Sequence, residues 1–171
     1  MLLKRTLFLA LIAALALAKP AIGASASATM TVSATVISTC TIASGNLSFG
    51  NYDAIGTNAT APLNATAAIT ATCTQGASAT VDIDSGLNAS GTGNSQSRRM
   101  KGTGANYLGY NIFQDSAHSK PWGSKTGGTT VSVTGAGGTT PVSLTAYGSV
   151  PGAQNVATGT YTDSVAVTIN Y

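Results

Sequence analysis

The chain contains no glutamate and a single histidine, His118, and its five acidic residues are all aspartate. Enzymes need groups that move protons, attack, or hold a metal, and this sequence offers few of them. Nothing near His118 completes a metal-ligand set. No GxSxG turn, phosphate-cradling glycine loop or zinc-binding helix is present. Asp82 and Asp84 stand two apart, so on a strand they share one face; a solvated face or a turn contact outweighs paired-acid catalysis. Charged residues make up only 8% of the 171 residues and aromatics 6%. The expectation is a protein without catalysis, cofactor or metal.

The one long apolar run lies at the start. Lys4 and Arg5 precede the apolar stretch Leu7 to Ala18, which has the length of a signal-peptide core and is too short and Ala-rich for a convincing membrane span. Small residues around 23–28 fit a cleavage site, so residues 1–24 read as a secretory signal cut between 23 and 28. An uncleaved anchor is the alternative. Removal takes Lys4, Arg5 and Lys19 with it and leaves five basic against five acidic residues. The calculated pI of about 9.0 therefore belongs to the precursor, and a charge-driven nucleic-acid binder is excluded. An exported chain meets an oxidising compartment, and its two cysteines, Cys40 and Cys73, allow one internal pairing. Two buried free thiols are the alternative.

What remains is rich in Ala, Thr, Gly, Ser and Val, a composition suited to pleated surfaces and turns. Thr29 to Val36 alternates apolar and hydroxyl side chains with period two, as a half-buried strand does. Ser164 to Tyr171 repeats the pattern. Between them the turn signals bound about eight short strands and no helical period. These include Leu47–Tyr52, Ala65–Thr74 (Ala67, Ile69, Ala71 and Cys73 on one face), Ala79–Asp84 (Val81 and Ile83 inward) and Tyr107–Gln114 (Leu108, Tyr110 and Ile112 together). Thr129–Thr134, Pro141–Tyr147 and Thr160–Tyr171 follow. Residues 85–106 form a long polar segment. The sum is an antiparallel β-sandwich of immunoglobulin-like size. A bare apolar strand edge invites pairing, so a chain with an alternating segment at each end suits strand exchange with its neighbours.

Other candidates have bland readings. Arg98, Arg99 and Lys101 fit a solubilising loop better than an anion contact. Trp122 and the tyrosines fit core packing better than a sugar-stacking platform. Asn46, Asn58, Asn64 and Asn88 each open an Asn-x-Ser/Thr triplet, which arises by chance in so polar a chain.

An ordered set of short motifs resembles the spore coat protein U family, which includes the pilins of archaic chaperone–usher pili. It runs from Cys40-Thr41-Ile42 and Leu47-Ser48-Phe49-Gly50-Asn51-Tyr52 through Thr70-Ala71-Thr72-Cys73 and Arg98-Arg99-Met100. It continues through Tyr107-Leu108-Gly109-Tyr110-Asn111-Ile112-Phe113-Gln114-Asp115, Trp122-Gly123 and Tyr147-Gly148-Ser149-Val150-Pro151 to the closing Gly159–Tyr171. Two positions depart from the pattern: Ser149, where a basic residue is more usual, and Ala54, where Pro is frequent. Any family-wide contact at 149 is thereby in doubt.

The resemblance implies an incomplete immunoglobulin-like sandwich that lacks its final strand and is completed by donor-strand exchange. Residues 25–38 would be the donor extension, with Met30, Val32, Ala34 and Val36 as the inserted face, and 39–171 the pilin-like domain. Val165, Val167, Ile169 and Tyr171 would form the acceptor edge, which a periplasmic chaperone also recognises. Further partners would be an outer-membrane usher and identical or related subunits joined head to tail; the location would be the periplasm and then the cell surface. The expected function is a pilus subunit for adhesion and biofilm formation. The alternatives are a coat protein of the same fold, a carbohydrate-binding module built on Trp122, or a first strand that completes its own sandwich in cis.

Overall fold

A computed structural model of the chain describes residues 23–91, 97–124 and 129–171. The expected signal peptide falls almost wholly outside these residues. Two units separate, one ending at Thr35 and one spanning Val36–Tyr171. In the first, the described residues 23–35 belong to no strand. The strand expected over Thr29–Val36 is therefore absent from the isolated chain. Alternation in sequence prepares a segment for pairing, but a strand exists only where a partner supplies its ladder of hydrogen bonds.

The second unit is all-β and antiparallel. Its strands are β1 (Cys40–Ser44), β2 (Leu63–Cys73), β3 (Ser78–Ile83), β4 (Arg99–Lys101), β5 (Tyr107–Gly109), β6 (Asn111–Phe113), β7 (Val131–Thr134), β8 (Val142–Val150) and β9 (Val167–Asn170), with one 3-10 turn at Thr57–Ala59. One sheet has the order β1-β2-β8-β6 and a second the order β7-β3-β9; β4 and β5 form a small ribbon. The register of β2 on β8 sets Ala67 against Ala146 and Ile69 against Leu144. Period two does the rest: Ala67, Ile69, Ala71 and Cys73 of β2 and Val81 and Ile83 of β3 point into one shared core, as their spacing predicts. Leu108, Tyr110 and Ile112 join that core, although a break at Tyr110 divides their segment into β5 and β6.

Three further expectations change. Leu47–Tyr52 forms no strand. It is an arm whose side chains cover the sheet: a Cβ on buried Gly148 of β8 would come within 2.7 Å of Leu47 and 2.8 Å of Phe49. Glycine there lets the arm lie flat. Tyr52 then pins the arm's end, its hydroxyl donating to the Pro151 carbonyl at 3.0 Å and accepting from the Gln154 N–H at 3.0 Å. The final strand is shorter than Thr160–Tyr171, because residues 163–166 hydrogen-bond to loop residues around Asp84 instead of a regular ladder.

The third change concerns Arg98. It is no solubilising loop residue; it is 2% exposed. Its guanidinium donates to the main-chain carbonyls of Ile83, Asp84 and Trp122, at 2.8, 2.6 and 2.8 Å. Strand alternation turns Arg98 inward and Arg99 outward. Burial pulls the Arg98 pKa down, while Tyr110, Asp84 and Asp163 pull it back up. Tyr110 donates its hydroxyl proton to Asp163 Oδ2 at 2.7 Å. Burial, then that bonded carboxylate, pushes the phenol far above its ordinary value.

Candidate functional site

The two main sheets have four edge strands: β1 and β6, β7 and β9. They are not equivalent. β6 and β7 each hold a buried inward side chain, Ile112 and Val133. β6 is also covered, since the Trp122 N–H donates to the Ile112 carbonyl at 2.8 Å and Gln114 pairs with Lys120. β9 buries none of its inward residues fully. Val167 and Ile169 are half-buried, as is Val165 just before them. Yet their partners across the ladder are sealed: Val167 faces Ile83 and Ile169 faces Val81, which are 1% and 0% exposed. Burial falls off within one strand spacing, as it does where a sheet stops before its core is covered.

β1 forms the matching edge of the other sheet. Cys40 is buried against Cys73, but Ile42 is only half-buried. β1 and β9 come within 8 Å, Cα to Cα. The seam between the two sheets is thus flanked on this side by two strands whose apolar side chains are incompletely covered. Each also has an outer row of backbone donors and acceptors that pairs with no strand among the described residues. Such an edge is a template for another strand.

The flanks are firmly held. Cys40 and Cys73 form a disulfide, opposite one another in the β1–β2 ladder. Beside it the Thr74 hydroxyl donates to the Ile37 carbonyl at 3.2 Å and accepts from the Thr39 N–H at 3.1 Å. On the other flank, Asp84 Oδ1 accepts from the Ala166 N–H at 2.9 Å and the Gly86 N–H at 2.9 Å. Asp82 Oδ2 accepts from Asn170 Nδ2 at 3.1 Å. Asp84 makes the expected turn contact, to Gly86, and both aspartates in addition fasten β9 and its approach to β3.

Before the disulfide, the apolar members of the alternating segment lie in the open. Met30, Val32 and Val36 are 83%, 86% and 83% exposed, and Ala34 is exposed. Tyr171, expected at the acceptor edge, is also exposed. Trp122 is 1% exposed and donates Nε1–H to the Val81 carbonyl at 2.9 Å. A ring so enclosed presents no face to a sugar, which removes the basis for a carbohydrate-binding module centred on it. No cluster of His, Cys, Asp or Glu suited to a metal occurs among the described residues.

The unit is thus an all-β antiparallel fold with two edge strands, β1 and β9, whose apolar side chains are incompletely covered. The model of the Spore Coat Protein U domain family matches residues 26–168, and this chain belongs to that family. It is 35% identical over 161 residues to "Protein U" of Myxococcus xanthus, an alignment covering 89% of this chain and 88% of that protein. Among solved structures it is similar to a chain of the CsuC–CsuE chaperone–tip adhesion subunit pre-assembly complex, from the archaic chaperone–usher Csu pili of Acinetobacter baumannii. That match has a TM-score of 0.54 and 26% identity and covers 80% of this chain. This chain spans 41% of the length of that solved chain.

Arg98, which holds the end of β3 in place, was the residue hardest to read from sequence. Two adjacent arginines in a glycine-rich polar stretch look solvated. The available signal was the alternation Arg98-Arg99-Met100, which sends neighbours to opposite faces.

Proposed function

We propose that this protein is a structural subunit of a surface pilus assembled by chaperone–usher donor-strand exchange. The observation that carries the reading is the loss of burial from β3 to β9, set beside an alternating apolar segment whose side chains are exposed. In this reading residues 1–24 direct export and are removed, residues 25–38 are the donor extension, and 39–171 form the domain that receives a donor. A periplasmic chaperone first lends a strand to the edge formed by Val165, Val167, Ile169 and Tyr171. At an outer-membrane usher, residues 28–36 of the next subunit replace it. Backbone hydrogen bonds give affinity and alternate side chains fill the seam.

Nine residues at about 3.3 Å each reach roughly 30 Å, enough to run along a sandwich. Burying Met30, Val32 and Val36 contributes on the order of 5–8 kcal/mol before ordering costs, and Ala34 adds little. Backbone pairing and slow unfolding carry the remainder. Contacts that run head to tail without closing make a filament, and the filament serves adhesion and biofilm formation. The role is structural, with no catalysis, cofactor or nucleic acid.

The test is electrophoresis of exported material with and without boiling, for the parent chain and for Val32→Asp. A ladder that collapses on heating and disappears in the variant is expected. Normal polymers from Val32→Asp would overturn trans pairing. The match to the Spore Coat Protein U domain family favours one second reading, a coat protein of the same fold. Strand-paired lattices around cells or spores in place of thin fibres, seen by electron microscopy, would select it.

A further inference from the structure

The β4–β5 ribbon carries chemistry that strand exchange does not use. Lys101 faces Tyr107 across the ladder and Arg99 faces Gly109. Arg99, Lys101 and Tyr107 therefore share one face, while Met100 between them packs on the core. Arg99 is preorganised. Its Nε–H donates to the Asn88 carbonyl at 2.7 Å and its guanidinium carbon sits 4.0 Å from the centroid of the Tyr107 ring. Both terminal guanidinium nitrogens are left without a protein partner among the described residues, and Lys101 is exposed.

No carboxylate lies within ion-pair distance of either cation among the described residues. Asp163, which also contacts Asn88, has both oxygens committed, Oδ1 to Asn88 and Oδ2 to Tyr110. The ribbon backbone is fixed on both sides, by β5 on one and by reciprocal bonds between Lys101 and Thr162 at 2.8 and 3.0 Å on the other. In a chain that the proposed removal of residues 1–24 would bring near zero net charge, two uncompensated cations about 7 Å apart on a rigid strand are a distinct feature.

We propose that this face, Arg99 and Lys101 backed by Tyr107, binds a carboxylate-bearing polysaccharide. A guanidinium held flat on an aromatic ring keeps its outer edge for bidentate contact with a carboxylate, and its preorganisation lowers the ordering cost. A duplex nucleic acid, with a charge every 1.7 Å or so, calls for a broader basic stripe than two side chains supply. One such site is weak. Repetition along a polymer makes it avid, so the proposal in its full strength rests on the pilus reading, while the single-site contact does not.

The experiment immobilises a polyuronate, a neutral glucan and duplex DNA. It measures retention of the exported protein, with polymer and monomer fractions tested separately, at rising salt. The comparison is between the parent, Arg99→Gln/Lys101→Gln, and Lys120→Gln as a control. Salt-sensitive retention on the polyuronate alone is expected, with polymer held more strongly than monomer. The double variant should lose about tenfold or more in apparent affinity, with a melting temperature lowered by no more than about 4 °C and an unchanged polymer ladder, while Lys120→Gln behaves as the parent. Equal retention of the double variant, equal binding to the neutral glucan, or tighter binding to DNA would overturn the proposal. Absence of polymers with intact monomer binding would overturn the pilus reading and leave this one standing.

Discussion

Replacing Arg98 by methionine keeps the length and apolar stem of the side chain and removes its donors. Three main-chain carbonyls then lose their partner, those of Ile83, Asp84 and Trp122. An orphaned buried acceptor costs roughly 1–3 kcal/mol. Relief from burying the guanidinium offsets part of the sum. The expected net loss is about 3–5 kcal/mol, a large share of the roughly 5–15 kcal/mol that holds a domain together. For a chain of this size that corresponds to about 10–15 °C in melting temperature.

Arg99→Met supplies the control, because it sits one residue away on the outer face and should cost less than about 1 kcal/mol. Urea unfolding followed by the fluorescence of Trp122, the chain's single tryptophan, reads both, and the Trp122 carbonyl is itself one of the three acceptors. Loss should spread from Ile83 into β3 and so to β9, the edge β3 supports. Periplasmic yield should fall with it. Equal midpoints for the two variants would refute the idea that Arg98 clamps the sheet.

Val167→Asp should leave export intact but lower chaperone capture and periplasmic yield severalfold, measured by co-purification; unchanged yield would remove β9 from the docking edge. Reduction of the Cys40–Cys73 disulfide should cost about 3–4 kcal/mol in the chain-entropy model, given a separation of 33 residues, and a denaturation midpoint insensitive to reductant would contradict that. Tyr110, whose pKa is raised from 10.0 by burial and then by Asp163, contributes stability that is present below pH 10. It is lost as pH climbs from there toward the folded-state value, because the unfolded phenol ionises first. Tyr110→Phe should therefore show a shallower alkaline decline than the parent when unfolding free energies at pH 8 and pH 11 are compared.

The sheet interiors were legible because period two has one interpretation when the inward positions are consistently apolar. β2 and β3 show this, with Ala67, Ile69, Ala71 and Cys73, then Val81 and Ile83, in the expected places. The disulfide was legible from arithmetic on two cysteines. The Leu47–Tyr52 arm was not, because Leu47 and Phe49 show the same alternation whether they sit in a ladder or lie across one. What decides is Gly148, a hundred residues away, whose missing side chain makes room for them. The true extent of β9 was hidden for a similar reason. Asp84 captures the Ala166 N–H with a side-chain oxygen, and no local pattern signals that a side chain 82 residues upstream will interrupt a ladder. Both failures come from long-range contacts, side-chain packing on Gly148 in one case and a side-chain oxygen replacing a ladder partner in the other.

An open seam between two sheets has a physical difficulty: uncovered apolar edges tend to collapse onto one another. If a donor strand is to pair with these edges as proposed, each flank must be fixed by something other than that strand. On the β1 flank the fixture is covalent, the Cys40–Cys73 bond with Thr74 tying down residues 37 and 39 beside it. On the β9 flank it is polar and charge-assisted. Asp82 and Asp84 fasten β9 and its approach to β3, and Arg98 fastens the end of β3 to the Trp122 loop. Neither fixture depends on apolar burial within the seam. Under the proposed donor-strand reading, that arrangement would keep Val167 and Ile169 available for an incoming strand, and it gives the buried Arg98 a role in a chain with few cations.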